Sequence, residues 1–79
     1  MAIRMKHISY FRDKTDAEQF EKFLHIIGAA SERKRCAGAI CVLAFVRTLS
    51  EPRELYHHER TIGRTAEHFN GEYEGWEVA

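Results

Sequence analysis

Five histidines, two cysteines and twelve carboxylates are the side chains of this 79-residue sequence best suited to chemistry. His57-His58-Glu59 has the composition of a metal or acid–base cluster. Adjacent residues on a helix point about 100° apart, however, so His57 and His58 do not chelate one ion together. The His-Glu-x-x-His pattern is absent, and His68 follows His58 by ten residues rather than four. Cys36 and Cys41 form a C-x4-C pair without a second pair of ligands at zinc spacing. No metal and no cofactor is therefore expected. His7, His25, His57, His58 and His68 read as surface or internally satisfied residues. The cysteines read as reduced thiols that behave as small core hydrophobes.

The carboxylates single out no catalytic pair. Glu72, Glu74 and Glu77 crowd the C-terminal stretch, but neighbouring strand residues alternate faces and a solvated edge accounts for them. There is no nucleophile elbow and no phosphate-binding glycine loop. Gly63 stands alone in a helical pattern and reads as a point of close packing. The chain is expected to lack enzymatic activity. Lys+Arg and Asp+Glu are both 12, so no whole-domain field draws the protein to nucleic acid or to an anionic membrane. Arg33-Lys34-Arg35 is a local basic patch beside Glu32, read as a solvated loop with phosphate contact as the alternative. The charged start, Met1 to Lys6, is unlike a signal peptide, and the longest apolar run, Ala39 to Val46, is too short to span a bilayer. A cytoplasmic protein is expected.

The elements that would position these groups follow from periodicity. Ile3, Met5, His7, Ser9 and Phe11 alternate with Arg4, Lys6, Ile8 and Tyr10, which predicts a first strand. Thr15-Asp16-Ala17-Glu18 fits a capping box, and Ala17, Phe20, Phe23, Leu24 and Ile27 keep helical spacing up to Gly28. A helix over Asp16 to Ile27 is expected. Ser31 to Arg35 is too polar for the interior and predicts a charged edge strand, with Ala37-Gly38 turning into the next one. Ala39 to Val46 is apolar on both faces and should lie centrally in a sheet. Pro52 suits the first turn of a second helix carrying Leu55, Ile62, Ala66 and Phe69, which Asn70-Gly71 ends. Glu72 to Val78 alternates and predicts a closing strand.

The order β-α-β-β-α-β gives an α+β, ferredoxin-like sandwich, a four-stranded antiparallel sheet with two helices on one face, as a single domain over residues 1–79. Such a plan leaves one sheet face bare. Since Cys41, Leu43 and Phe45 and the alternate set Ile40, Val42, Ala44 and Val46 are all apolar, one set must project there. Either a partner or second copy covers it, or side chains such as Arg4 and Lys6 shield a smaller patch. Trp76 is either an interface anchor or a ring packed across the sheet, with Gly75 making room; the packed ring is favoured. RNA-binding domains share the plan, but the third strand has small and aliphatic residues where stacking rings are needed.

The stretch Ala66-Glu67-His68-Phe69-Asn70-Gly71-Glu72-Tyr73-Glu74-Gly75-Trp76 resembles the end of the RraB family, the regulator of ribonuclease E activity B. In that family a helix with an Ala-Glu pair is followed by a Glu-Tyr-Asp-Gly-Trp-like strand. Tyr10-Phe11 at a strand end, Glu18-Gln19-Phe20 in a helix, an apolar strand and a long second helix extend the likeness in layout. The resemblance implies a ferredoxin-like domain without catalysis that binds ribonuclease E and inhibits RNA cleavage. Here Glu stands for Asp, and the net charge is zero where the regulator is strongly acidic. Glu72, Tyr73, Gly75 and Trp76 match the motif and are expected to build the sheet. Cys41, Leu43, Phe45 and Trp76 are the candidate protein interface. The alternatives are an RNA-binding module using Arg33-Lys34-Arg35 and a small cofactor-free dimeric enzyme.

Overall fold

The computed structural model describes all 79 residues. The chain runs β1 (Ala2–Phe11), α1 (Lys14–Ile26), β2 (Ala30–Cys36), β3 (Ala39–Leu49), α2 (Pro52–His68) and β4 (Glu72–Val78). The strands lie in the order β2-β3-β1-β4, and every pairing is antiparallel. This is the expected ferredoxin-like arrangement, with the most apolar strand, β3, in the interior.

The β1–β3 ladder runs from Ala2 opposite Leu49 to Phe11 opposite Ile40. Side chains alternate across a strand, so Met5, His7, Ser9 and Phe11 share a face with Val46, Ala44, Val42 and Ile40. That face carries the helices. Phe11, Ile40, Val42 and Ala44 pack with Ala17, Phe20 and Leu24 of α1 and with Ile62 and Ala66 of α2 in one cluster. The Phe11 and Phe20 rings lie 5.2 Å apart, tilted by 37°.

The capping box is not formed. Helix α1 starts at Lys14, Asp13 occupies the N-cap position without a side-chain cap bond, and Thr15 falls inside the first turn. There its hydroxyl no longer precedes the free amides that a cap would accept from. Both helices end in a Schellman arrangement. The Ala29 and Gly28 amides donate to Leu24 and His25 carbonyls, and the Gly71 and Asn70 amides donate to Ala66 and Glu67 carbonyls. Gly28 and Asn70 take the left-handed conformation this requires, at φ 80° and 63°. Strand β2 is the charged edge expected, exposed along its whole length. A two-residue turn with Ala37 at φ 49° and Gly38 at φ 80° joins it to β3.

Strand β4 departs from simple alternation. Its register against β1 passes from Ile8 opposite Gly75 to Ser9 opposite Tyr73, leaving Glu74 as an extra residue in a β-bulge. Tyr73 and Trp76, three apart, thereby both face α2. Gly75 does not make room for Trp76. A Cβ there would meet nothing, but its φ of +128° is one that side-chain-bearing residues rarely adopt. Gly63 is the close-packing point expected of it, since a Cβ there would lie 2.9 Å from the Tyr73 ring.

Candidate functional site

The helix-free face of the sheet is built from Lys6, Ile8 and Tyr10 of β1 opposite Phe45, Leu43 and Cys41 of β3. Leu43 also lies opposite Glu32, and Cys41 opposite Lys34, on β2. Cys41 and Leu43 are only 2% and 8% exposed although no helix covers them. Neighbouring side chains of the same chain cover these two residues. Ile8, Tyr10 and Phe45 remain half-buried. Around them stands charge: the Arg4 guanidinium sits 4.3 Å from the Phe45 ring centroid, and Lys6 Nζ contacts Glu77 Oε1 at 2.8 Å. Burial pushes the Cys41 thiol pKa up, against an opposing pull from Lys34.

Of the four candidate interface residues, Cys41, Leu43 and Phe45 therefore share the open face, and Trp76 does not. Trp76 lies on the helix side, where its Nε1–H donates to Glu59 Oε2 at 3.1 Å. Tyr73 lies beside it, and Gly75 and Glu72 pair with Ile8 and Tyr10 of β1. The motif residues thus build the strand that closes the sheet over α2.

Beneath α2, His7 is wholly buried, and its Nδ1 and the Tyr73 hydroxyl share a hydrogen bond of 2.8 Å. The His7 Nε2 and the Ser9 Oγ have no protein partner. Burial, with a smaller contribution from His58, lowers the His7 pKa to about 4. Burial and then Glu59 raise that of Tyr73. Both groups are neutral at pH 7, and no solute reaches the ring. The alternation of β1 had already placed His7 beside Met5 and Phe11. What it did not show was Tyr73 above it, because the bulge decides where that ring points.

A groove of about 630 Å³ opens where β2 stops short of the end of β3. Arg4, Ile27, Phe45, Arg47, His57 and His58 are among its lining residues, none of which is a carboxylate. The two imidazoles meet edge to face at 5.5 Å. Such a lining can hold an anion, but it offers no acid to orient an imidazole. No group of three or more His, Cys, Asp or Glu stands close enough to hold a metal ion. Arg33 of the basic patch is engaged by α1, at 3.7 Å from Glu18 and 3.2 Å from Glu21, which leaves Lys34 and Arg35 outside any ion pair. No helix is long and apolar enough to cross a membrane.

No family model matches the chain, and no curated protein is similar enough to it to count as a relative. Among solved structures, the chain is similar to the peptidoglycan-binding domain of the B. subtilis cell wall lytic enzyme CwlC. The identity is 13% and the TM-score 0.49, over 96% of this chain and 90% of that one.

Proposed function

We propose that the chain is a non-catalytic cytoplasmic regulator that acts by binding a protein, with ribonuclease E as the partner and slowed RNA decay as the effect. The observation that carries the protein-binding part is the make-up of the open sheet face. A half-buried apolar centre of Ile8, Tyr10 and Phe45 over buried Leu43 is framed by Arg4, Lys6, Lys34, Glu32 and Glu77. An apolar centre within a charged rim is the anatomy of a protein interface. The choice of ribonuclease E rests on the RraB resemblance of Glu72-Tyr73-Glu74-Gly75-Trp76.

Titration calorimetry against ribonuclease E of the same organism tests it. Saturable heat with micromolar affinity or tighter is expected, a binding free energy of about −8 kcal/mol or more favourable at 25 °C. Phe45→Glu should abolish that heat with the fold intact, because Phe45 is half-buried and the new carboxylate can pair with Arg4. A wild-type chain that gives no heat and does not co-elute would refute ribonuclease E as the partner. A Phe45→Glu chain that binds normally would refute the open face.

A further inference from the structure

The outward ridge of α2 carries Arg53, His57, Arg60 and Arg64, spaced i, i+4, i+7 and i+11. At 1.5 Å per residue the three arginines stand about 10 Å and about 6 Å apart along the axis. All four side chains are exposed. With Tyr56 and Thr61 they line a shallow depression of about 380 Å³. His57 and Thr61 also line the larger groove, so the two surfaces are continuous. Together they hold five of the eight arginines in the sequence, Arg4, Arg47, Arg53, Arg60 and Arg64, and no carboxylate. None of these five is in an ion pair, since the only salt bridges are Lys6 with Glu77 and Arg33 with Glu18 and Glu21. A chain of zero net charge has thus separated its charges. The basic segment most visible in the sequence is partly neutralised, and the guanidinium groups without a carboxylate partner gather along α2 and the adjoining groove.

An aromatic ring stands among them. Tyr56 is 58% exposed, and its hydroxyl accepts a hydrogen bond of 2.8 Å from Arg60 Nη1. The bond holds the ring beside a guanidinium without burying it. Cations that pair with phosphates, next to a ring on which a base can stack, are the two components of single-strand recognition. Guanidinium groups also suit phosphate oxygens by their forked geometry.

We propose that this ridge and the adjoining groove bind single-stranded nucleic acid, with phosphates on Arg53, Arg60 and Arg64 and a base on Tyr56. The groove shares Arg4 and Phe45 with the open sheet face, whereas Arg53, Tyr56, Arg60 and Arg64 of the ridge lie outside it, so a protein regulator could carry both.

Fluorescence anisotropy with a labelled twelve-nucleotide oligouridine and the matching oligothymidine tests it, across 25–200 mM salt. Three phosphate contacts give a slope of log K against log salt of about −2, or about twentyfold weaker binding between 50 and 200 mM. Arg60→Ala with Arg64→Ala should reduce the slope by about 1.4. Tyr56→Ala should weaken binding about tenfold and leave the slope unchanged. Lys34→Ala with Arg35→Ala should change nothing. Tighter binding of the uridine probe assigns the site to RNA, and equal binding assigns it to either strand chemistry, both within the proposal. Absence of binding at 25 mM salt overturns it. So does equal affinity for an oligoglutamate of the same charge, which would make the ridge a site for acidic protein. Loss of binding in the Lys34/Arg35 variant alone would overturn the placement. Circular dichroism checks that each variant is folded, and every substituted residue is exposed.

Discussion

The buried His7 makes the stability of this domain fall in mildly acid solution, by an amount the structure sets. Its folded pKa is about 4, against 6.5 when unfolded. Between those values the unfolded chain takes up a proton that the folded chain refuses, so stability falls as pH drops from 6.5 and levels off below 4. The fall from 6.5 to about 4, at about 1.36 kcal/mol per pH unit, sets a ceiling of about 3.4 kcal/mol. Part of it comes from His58, whose charge is screened by solvent, so about 2–3 kcal/mol is expected at pH 4. For a domain of this size that is a large share of roughly 4–12 kcal/mol in all. Other groups also titrate over this range, so the comparison needs a variant. His7→Gln keeps a polar group near the Tyr73 hydroxyl and cannot take up a proton. Urea unfolding followed by circular dichroism, at intervals from pH 7 to pH 4, gives the stability of each protein. His7→Gln should be the less stable at pH 7, and the gap should close by about 2–3 kcal/mol by pH 4. A gap that stays constant across this range would show that His7 titrates alike in both states, and the burial argument would fail.

Two further outcomes follow from packing and exposure. Gly63→Ala should destabilise the domain by about 1–3 kcal/mol in a denaturant titration, despite the better helix propensity of alanine, because the new methyl meets a Tyr73 ring held in place by His7. A stabilised variant would mean that the ring moves freely. In alkylation followed by mass spectrometry near pH 8, exposed Cys36 should react well before Cys41, which is 2% exposed and whose pKa burial raises. Equal rates would indicate that the open sheet face exposes Cys41 in solution.

Much of the fold was legible because its signals are periodic. Ala39 to Val46 is apolar on both faces, and β3 lies inside the sheet with both faces largely covered. The charges of Ser31 to Arg35 marked an edge, Pro52 a helix start, and Gly63 a close approach. Thr15 misled because Thr-x-x-Glu recurs inside helices as well as at their starts, and α1 begins one residue before it, at Lys14. The basic site was harder. Arg33, Lys34 and Arg35 are adjacent in sequence and easily noticed, yet α1 engages Arg33. The free arginines come from β1, β3 and α2 and meet only after folding. Within α2 the spacing of Arg53, His57, Arg60 and Arg64 was readable, since it is the polar complement of the apolar face. Trp76 lies on the helix side of the sheet, and no periodicity showed which side it would take.

That last point turns on the bulge at Glu74. One surplus residue divides β4 into two reading frames, so that Tyr73 and Trp76 can serve the same side of the sheet although an odd number separates them. Inheritance in such a strand is a matter of counting. Glu74 can be exchanged for another residue with little consequence, and its deletion would leave Tyr73 opposite Ser9 on the helix side in a strand that alternates without a bulge, whereas pairing Glu74 regularly with β1 would turn Tyr73 to the open face and take the partner from His7. Among descendants of this chain, an interval of three with the bulge or of two without it keeps the tyrosine and the tryptophan on one side of the sheet.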